Sequence, residues 1–448
     1  LYPLHDTTEA RYAEIARVMV ASGDWVTPQI AVGVPFWAKP PLSIWFTAAS
    51  FELFGLSEFA ARFPVWVLIL LVAALVVRLG KVASTTDAAV ASAAVFLTTV
   101  LGFMSAGMVM TDAALTLSTT LSLASFWMAA DFPASRWRYL FFVGLGLGLL
   151  AKGPLALVLV GLPVLTWALW HRGIVWLCRA LPWVSGSLLM LAIAGPWYWL
   201  AETRTPGFLE YFFVGEHLLR FIQSGWEGDL YGSAHAHPKG YIWIYGFAAA
   251  LPWTVVALVA AGSAIRKRSV LASLSPFETY LLLWLLAPLV FFTLAGNILP
   301  AYVLPGLPAF ALLIGPWVLN RRPSLALLGV IVPGVLAMVL LAGIDDSLAG
   351  KTQKYLVQYH RESAPASPLY YFPKTPYSAS FYSRGKTETL KSENDLATLI
   401  ASGNSAFLAV KKTQLAALDT TTRRCLNPDR TFSRYLLLQI NSACTDRK

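Results

Sequence analysis

Charged residues are scarce in this chain of 448 residues: Asp, Glu, Lys and Arg make up 13% of it, while hydrophobic residues make up 57%. Soluble domains carry about 25% charged and roughly 45–50% apolar residues, so the composition excludes an ordinary soluble protein. The apolar residues lie in runs such as VWVLILLVAALVV. With their flanks, such runs approach the roughly 20 residues that cross a bilayer as a helix. A polytopic α-helical membrane protein is the class that fits.

Cysteine is almost absent, with three residues in the whole chain. That number is too low for a fold held together by disulfides. Cys178 adjoins an apolar run, whereas Cys425 and Cys444 lie in the polar C-terminal part. These two can pair if that part is exported to an oxidising compartment, and otherwise they are unrelated thiols.

Nucleotide-binding motifs are missing too, because the C-terminal part contains neither a P-loop nor a G-x-G-x-x-G pattern. We therefore expect no use of ATP, and chemistry outside the cytoplasm has to start from an activated substrate. The net charge of +10 does not indicate nucleic-acid binding. Most basic residues lie in short loops between apolar runs, where the positive-inside rule explains them.

About ten membrane spans are predicted, near residues 59–79, 88–107, 112–130, 139–151, 154–171, 182–200, 241–262, 278–296, 299–319 and 323–343. Alternate loops carry the basic residues Arg78, Lys81, Arg136, Arg138, Arg172, Arg179, Arg266, Lys267, Arg268, Arg321 and Arg322. Those loops are predicted to be cytoplasmic. The remaining segments then face outward: residues 1–58, the turns near 108–111, 152–153 and 297, the loop 201–240 and the C-terminal part. Since the chain starts with Leu1, we expect its start to be missing, and a missing first span would place the true N-terminus inside.

This topology predicts three parts: a first extracytoplasmic loop with interfacial helices (1–58), a transmembrane domain (59–343) and a small periplasmic α/β domain (345–448). In the last part, SPLYYF, SASFYS, SAFLAV and RYLLLQI are typical of short strands. SENDLATLIASG has the Ser or Asn cap and the Gly stop of a helix.

The segment DTTEARYAEIAR, residues 6–17, is unusually charged for this chain. Its apolar residues repeat with helical spacing, which predicts an amphipathic helix lying flat on the membrane surface. Glu14 and Arg17 are close enough on it to pair. Asp6 and Glu9 have the spacing of a capping box. Either carboxylate is alternatively a catalytic base aimed into a cavity, and both interpretations can hold together.

Several further charges lie beside apolar runs, where an ionisable group is costly and indicates function. Lys39 lies between Trp37 and two prolines, a setting that suits the binding of a phosphate with an apolar chain. Alternatively, it is an interfacial lysine whose ammonium snorkels to water. Asp112 begins a span and is alternatively a helix cap, and Lys152 separates two apolar runs. The loop 201–240 adds Glu216, His217 and Arg220, and a weak metal signal from His235 and His237. The proline-broken stretch GNILPAYVLPGLPAF is typical of backbone that lines a cavity.

The ordered set TEARYAEIA, SGDW, KPPL, MTDAAL, AKGP, EHLLRF and LPAYVLPGLPA resembles the lipid A aminoarabinose transferases and related bacterial polyprenyl-phosphate-sugar glycosyltransferases. These are distant relatives of the protein O-mannosyltransferases. The resemblance covers about residues 6–320. It implies a C-type glycosyltransferase (GT-C) fold, an undecaprenyl-phosphate sugar donor, a lipid or glycan acceptor such as lipid A, and inverting transfer on the periplasmic face of the bacterial inner membrane.

The same resemblance implies roles for individual residues. The essential carboxylate of the family falls on Asp6 or Glu9, because Thr8 stands where the aminoarabinose transferases carry aspartate. The second acid falls on Asp112, the phosphate-handling lysine on Lys39 and the AKG lysine on Lys152. Other cavity positions fall on Arg11, Tyr12, His217, Arg220 and Tyr302. Ala38 stands where the aminoarabinose enzymes have an acid. This difference weakens the inference of a bound divalent metal and the inference of the same donor sugar, so no metal ligand or cofactor is assigned.

Two alternatives belong to other functional classes. A transporter or flippase of lipid-linked sugars predicts inverted repeats and paired broken helices in both halves. The sequence shows no such repeat, and its charges cluster on one face. A scaffolding membrane protein with a periplasmic recognition domain has no need for Asp112 or Lys152.

Overall fold

The computed structural model describes residues 2–131, 136–232, 235–266, 274–321, 331, 333–338 and 349–440. The first third contains α1 (Thr8–Ser22), β1 (Gln29–Ala31), β2 (Val34–Pro35), α2 (Leu42–Phe54), α3 (Glu58–Ala83), α4 (Thr86–Thr98), α5 (Val100–Ala106) and α6 (Asp112–Asp131). The middle contains α7 (Trp137–Lys152), α8 (Leu155–His171), α9 (Ile174–Ala180), α10 (Trp183–Arg204), a π-helix (Glu210–Leu219), α11 (Arg220–Ile222), α12 (Ile242–Ala249), α13 (Trp253–Arg266), α14 (Pro276–Thr293), a 3₁₀ helix (Pro300–Gly306) and α15 (Leu307–Arg321).

The helices are long and apolar enough to make this a multi-pass membrane protein. Within the described residues, five helical segments have the length and composition of a span: Glu58–Ala83, Asp112–Ala130, Trp183–Arg204, Pro276–Thr293 and Pro300–Asn320. Two bent pairs, α4–α5 at 73° and α12–α13 at 100°, raise the number to seven if each pair is one span. The sequence predicts about ten. The difference has three causes. Residues 88–107 and 241–262 are bent. The predicted spans 139–151 and 154–171 correspond to α7 and α8, which have only 16 and 17 residues, and the segment 323–343 lies largely outside the described residues.

Local sequence signals explain where several helices start. The Ser57 side chain accepts the Ala60 N–H at the start of α3. Ser275 and Glu278 form a reciprocal capping box at the start of α14, where Pro276 occupies the first turn. Pro252 lies at the bend between α12 and α13, since a proline lacks the N–H that would continue the helix.

The C-terminal part is a small α/β domain. Its elements are a 3₁₀ turn (Ala349–Lys351), α16 (Lys354–Ser363), β3 (Leu369–Phe372), α17 (Tyr377–Tyr382), β4 (Glu388–Thr389), α18 (Glu393–Ala401), β5 (Phe407–Lys411), α19 (Lys412–Leu415), α20 (Thr420–Arg424), β6 (Leu426–Phe432) and β7 (Tyr435–Ile440). The sheet order is β4-β3-β5-β7-β6. Strands β4, β3 and β5 are parallel, and β7 pairs antiparallel with β5 and β6.

Most of the strand and helix predictions for this domain are confirmed. SPLYYF, SAFLAV and RYLLLQI contain β3, β5 and β7, and SENDLATLIASG contains α18 with its Ser392–Asp395 capping box. SASFYS is not a strand but lies in α17. Its alternating pattern is misleading because the buried residues are Ser378, Ala379 and Phe381, which share one face of a helical turn. Cys425 is disulfide-bonded, and Cys444 lies outside the described residues.

Helix α1 lies between the transmembrane helices and the C-terminal domain. Its apolar face packs with α2, and Phe381 of α17 joins the same buried cluster. Glu14 and Arg17 form the predicted pair, with Nε 2.7 Å from Oε2, but both are buried. Arg17 lies against Gly385, so the C-terminal domain covers this charged part of the helix. That the helix lies flat on the membrane surface stays a prediction.

Candidate active site

A cavity of about 210 Å³ lies where the loop 201–240 meets the helix ends. One part of its wall carries three cations and one carboxylate, and the rest is aromatic and aliphatic. Its lining residues are Lys39, Lys152, Pro154, Leu155, Val158, Glu216, His217, Arg220, Phe221, Phe291, Phe292, Asn297 and Tyr302. Of the residues predicted from the sequence, Lys39, Lys152, His217, Arg220 and Tyr302 thus meet at one cavity.

Glu216 is the centre of the charged wall. Its carboxylate accepts hydrogen bonds from Lys39 Nζ at 3.0 Å, from Arg220 Nη1 at 3.1 Å and from the Tyr211 hydroxyl at 3.2 Å. Burial opposes ionisation of Glu216, but Lys39 and Arg220 outweigh it and hold the pKa of this carboxyl below its ordinary value. Arg220 Nη1 also lies 3.2 Å from Asp229 Oδ2. The side chains of Lys39 and Arg220 thus converge on one anionic position, which the Glu216 carboxylate occupies.

The backbone that carries these groups is held in place from several sides. Glu216 belongs to the π-helix and Arg220 follows four residues later, so both side chains share one face. The Asn297 amide donates to the carbonyls of Arg220 at 2.6 Å and of Gln223 at 2.7 Å. Next to Lys39, the Trp37 indole N–H donates to Thr205 at 3.1 Å.

Lys152 and Asp112 form a second ion pair at the cavity. Lys152 Nζ lies 2.6 Å from Asp112 Oδ1, and each side chain is 7% exposed. The same ammonium lies 4.8 Å from the centre of the Tyr302 ring, within cation–π range. Gly153 follows with φ +69°, and an added Cβ would lie 2.7 Å from the Phe212 ring. This turn therefore needs glycine, and it brings Lys152 to the cavity wall.

His217 links the loop to this turn. Its Nε2 lies 3.0 Å from the Lys152 carbonyl oxygen and its Nδ1 lies 2.7 Å from the Phe212 carbonyl oxygen. Burial lowers the pKa of His217, although both carbonyl oxygens oppose that effect. Its ring nitrogens thus face backbone oxygens, an arrangement that positions Lys152.

Arg11 and Tyr12 lie beside the cavity rather than in its wall. Arg11 Nη1 donates to the Tyr231 carbonyl at 2.9 Å, and its guanidinium lies 5.3 Å from the Tyr12 ring centre. Tyr12 packs edge-on against Phe36 with 6.1 Å between ring centres. Both residues support the loop that carries Asp229.

Asp6 and Glu9 line a different cavity and have other partners. Asp6 accepts hydrogen bonds from the backbone N–H and the hydroxyl of Ser378 in α17. Glu9 is 2% exposed and lies 2.7 Å from Arg62 Nε, and it also accepts the backbone N–H of Val109. The predicted capping box is absent, because α1 begins after Thr7 without a side-chain cap. Asp6 binds Ser378 instead, and Glu9 accepts the backbone N–H of His5 rather than that of Asp6.

The sequence pointed to Glu216 beside His217 and Arg220 but gave it no role, and it gave no indication of Tyr211, Asp229 or Asn297. The Glu216–Arg220 spacing was the available signal, since acid and base four residues apart pair on a helix. Within the described ranges, no group of three or more His, Cys, Asp or Glu side chains is placed to hold a metal ion. His237 contacts the Tyr245 hydroxyl at 3.1 Å and stacks on Tyr241.

The helical bundle, the C-terminal sheet domain and the cationic cavity define a membrane protein of the GT-C glycosyltransferase fold. The whole chain superimposes on the crystal structure of ArnT from Cupriavidus metallidurans in the apo state with a TM-score of 0.79 at 21% identity, covering 96% of that chain. The structure of the same protein bound to undecaprenyl phosphate also gives a TM-score of 0.79, at 20% identity, with 100% and 96% of the two chains covered.

Sequence comparisons agree with the fold. The family model of dolichyl-phosphate-mannose-protein mannosyltransferases matches residues 4–212. Undecaprenyl phosphate-alpha-4-amino-4-deoxy-L-arabinose arabinosyl transferases from Erwinia tasmaniensis and Aeromonas salmonicida are 34% and 31% identical over 70% of this chain. The chain spans 55% of the length of each of these relatives. The chain is thus similar in sequence to bacterial undecaprenyl-phosphate-sugar transferases and, over residues 4–212, to the dolichyl-phosphate-mannose-protein mannosyltransferases.

Proposed function

We propose that this protein transfers a sugar, with inversion, from an undecaprenyl-phosphate-linked donor to lipid A or another envelope acceptor. The observation that carries the proposal is the convergence of Lys39 and Arg220 on one anionic position in a cavity whose remaining wall is apolar. A lipid phosphate can take that position, and aromatic and aliphatic side chains can hold the first part of the polyprenyl chain. The names of the sequence relatives support the same donor class.

The reaction needs two groups of residues with different tasks. The acceptor oxygen forms a bond to the anomeric carbon, and the bond from that carbon to the phosphate oxygen breaks. The electron pair of the broken bond stays on the lipid phosphate, where Lys39 and Arg220 stabilise the added negative charge. In the free protein, Glu216 neutralises both cations, so the arriving phosphate competes with this carboxylate.

The Asp112–Lys152 pair is the second group in the proposed mechanism. An inverting displacement brings the acceptor to the face of the sugar opposite the leaving phosphate. We assign this side to Asp112 and Lys152, with Asp112 orienting the acceptor or removing its proton. A hydroxyl acceptor loses a proton during transfer, whereas an acceptor phosphate is already anionic and needs only orientation.

The proposed location of the reaction is the extracytoplasmic face of the bacterial inner membrane. The disulfide at Cys425 supports this side for the C-terminal domain, since disulfides persist in oxidising compartments. Contacts such as Asp6–Ser378 and Lys39–Glu216 support a common side for the first loop, the loop 201–240 and the C-terminal domain. The division at residues 1–58, 59–343 and 345–448 belongs to the same proposal.

The test is transfer by the purified full chain in proteoliposomes. The donor is an undecaprenyl-phosphate sugar and the acceptor is lipid A, with released undecaprenyl phosphate and glycosylated acceptor measured by mass spectrometry. We expect both products in equal amounts. Intact donor after long incubation with lipid A and with the other envelope glycans would reject the enzyme, and movement of intact donor between leaflets would indicate a flippase instead.

A further inference from the structure

The short segment between α14 and the 3₁₀ helix is hydrogen-bonded to the long loop between α10 and α12. The Gly296 N–H donates to the Phe221 carbonyl at 2.8 Å, and the Ile298 N–H donates to the His235 carbonyl at 3.1 Å. An added Cβ on Gly296 would lie 2.8 Å from the Ser224 nitrogen, so the two backbones touch. The residue between these two contacts is therefore held against the loop from both sides.

That residue is Asn297, which is 6% exposed. Its amide nitrogen donates to the Arg220 carbonyl at 2.6 Å and to the Gln223 carbonyl at 2.7 Å, and its oxygen accepts the Gly225 N–H at 3.1 Å. Helix α11 ends at Ile222, and the last carbonyls of a helix have no partner within it. The Asn297 amide thus closes the end of this helix, because one side chain carries both the donors and the acceptor.

The backbone position of Arg220 decides where its positive charge lies in the candidate active site. Its Nη1 atom is 3.1 Å from Glu216 Oε1 and 3.2 Å from Asp229 Oδ2, so the guanidinium is held between two acids. A displacement of about 1 Å at a positioned group can cost about 10²-fold in rate. The hydrogen bonds that fix the Arg220 backbone therefore bear on how well the cavity binds an anion.

We propose that Asn297 is a positioning residue for the donor phosphate. By holding the Arg220 and Gln223 carbonyls, it sets the place of the Arg220 guanidinium and thereby the affinity of the cavity for a lipid phosphate. Asn297 lines the cavity, but its three hydrogen bonds go to the backbone, so it acts through Arg220. The inference rests on the proposed function for the identity of the ligand, but it concerns phosphate binding and not the transfer step.

The variant Asn297→Leu tests the proposal, because leucine has a similar shape and neither donor nor acceptor. Binding of undecaprenyl phosphate to the full chain in neutral detergent is measured by native mass spectrometry. We expect Asn297→Leu to weaken binding by about tenfold. Asn297→Ser keeps one donor and should weaken binding by about threefold, which provides a second variant if Asn297→Leu does not fold.

Ser224→Ala is the matched control. It removes the 3.3 Å hydrogen bond from the Ser224 hydroxyl to the Gly296 carbonyl, which joins the same loop to the same segment. The Arg220 carbonyl keeps its partner in this variant. We expect binding of undecaprenyl phosphate to change by less than about twofold.

Two further backgrounds separate positioning from a loss of structure. Lys39 reaches the phosphate position from another part of the chain. In Lys39→Met, Arg220 is still present, so Asn297→Leu should again weaken binding by about tenfold. In Arg220→Met, the positioned group is gone, and Asn297→Leu should change binding by less than about twofold. Equal effects in the two backgrounds, or equal effects of Asn297→Leu and Ser224→Ala, would overturn the proposal.

Sugar transfer by the same proteins keeps this inference separate from the proposed function. Products from the wild type, together with the expected binding differences, support both. The expected binding differences without any product reject the proposed function alone. Products together with equal phosphate affinity in the wild type and Asn297→Leu reject the inference alone.

Discussion

The Lys39 ammonium and the Glu216 carboxylate lie 3.0 Å apart at the cavity wall, although 177 residues separate them in the chain. The lysine side chain is 22% exposed and the glutamate side chain 2%. The lysine can therefore meet a ligand while the carboxylate behind it holds its position. A cation held in this way can stabilise the negative charge that develops on the leaving lipid phosphate during sugar transfer.

Removing the Lys39 charge tests the phosphate site. We expect Lys39→Met to lower kcat/KM for sugar transfer by about 10²-fold, because one preorganised charge is lost from the leaving phosphate. Lys39→Arg keeps the charge and should retain part of the activity. Lys354→Met is the matched control, since Lys354 pairs with Glu58 away from the cavity. A Lys39→Met protein with full activity and a normal Tm would remove Lys39 from the mechanism.

Glu216→Gln tests competition between this carboxylate and the lipid phosphate. Without the carboxylate, Lys39 and Arg220 are no longer neutralised, so undecaprenyl phosphate should inhibit about tenfold more strongly, a difference of about 1.4 kcal/mol. Product inhibition in the transfer assay measures the effect. Glu210→Gln on the same π-helix is exposed and should behave as wild type. Unchanged or weaker inhibition in Glu216→Gln would contradict this role.

Glu216 also predicts a dependence of stability on pH. Its pKa in the folded protein lies below the ordinary value of 4.5. A carboxyl with a lowered pKa stabilises the folded state above its unfolded pKa, and this contribution is lost as the pH falls through the lower folded pKa. We expect the Tm of the wild type to fall more steeply below pH ~4.5 than that of Glu216→Gln. Thermal unfolding of both proteins in detergent from pH ~6 to ~3 gives the comparison, and parallel curves would contradict the prediction.

Asp112→Asn separates chemistry from binding at the second ion pair. The variant removes the charge of the carboxylate that lies 2.6 Å from Lys152, on the proposed acceptor side. We expect kcat to fall by about 10²-fold while KM for the donor changes little. Asp87→Asn, on the exposed start of α4, is the control. A rise in donor KM at constant kcat would place Asp112 with the donor phosphate instead.

Asp6 and Glu9 need separate variants because their partners differ. Glu9→Gln breaks a buried pair with Arg62. It should cost about 3–5 kcal/mol and lower the Tm, with little loss of rate per folded molecule. Asp6→Asn weakens the contact to Ser378 and should have a smaller effect on the Tm. Either variant with a normal Tm and a rate reduced by about 10²-fold would identify that residue as catalytic.

Local patterns in the sequence predicted local structure well and distant partners poorly. The Glu14–Arg17 pair and the Ser392 cap depend on spacing along one helix, which can be read directly. The Asp6–Glu9 capping box has equally good spacing, yet its acids bind Ser378 and Arg62. The partner Ser378 lies in a segment whose pattern predicted a strand. Tertiary contacts of this kind override local preference because a carboxylate that the fold buries needs hydrogen-bond donors, and Ser378 and Arg62 supply them.

The same limits apply to the candidate site. The family motifs predicted that Lys39, Lys152, Arg220 and Tyr302 are site residues, and in the structure all four line one cavity. Their relation to Glu216 and Asn297 depends on how the loop 201–240 folds. No periodic pattern describes that loop, so its contacts had to come from the structure.

The contact between Asp6 and Ser378 spans 372 residues, and this separation bears on the order of events during synthesis. At about 5–20 residues per second, the ribosome needs roughly 20–75 s to reach the partner after Asp6 is made. Glu9 meets Arg62 only 53 residues later. At the beginning of α1, the Glu9–Arg62 contact can therefore form early, whereas the Asp6–Ser378 contact can form only when most of the chain has been made. For most of its translation, the nascent protein has an N-terminal segment that lacks one of these two contacts.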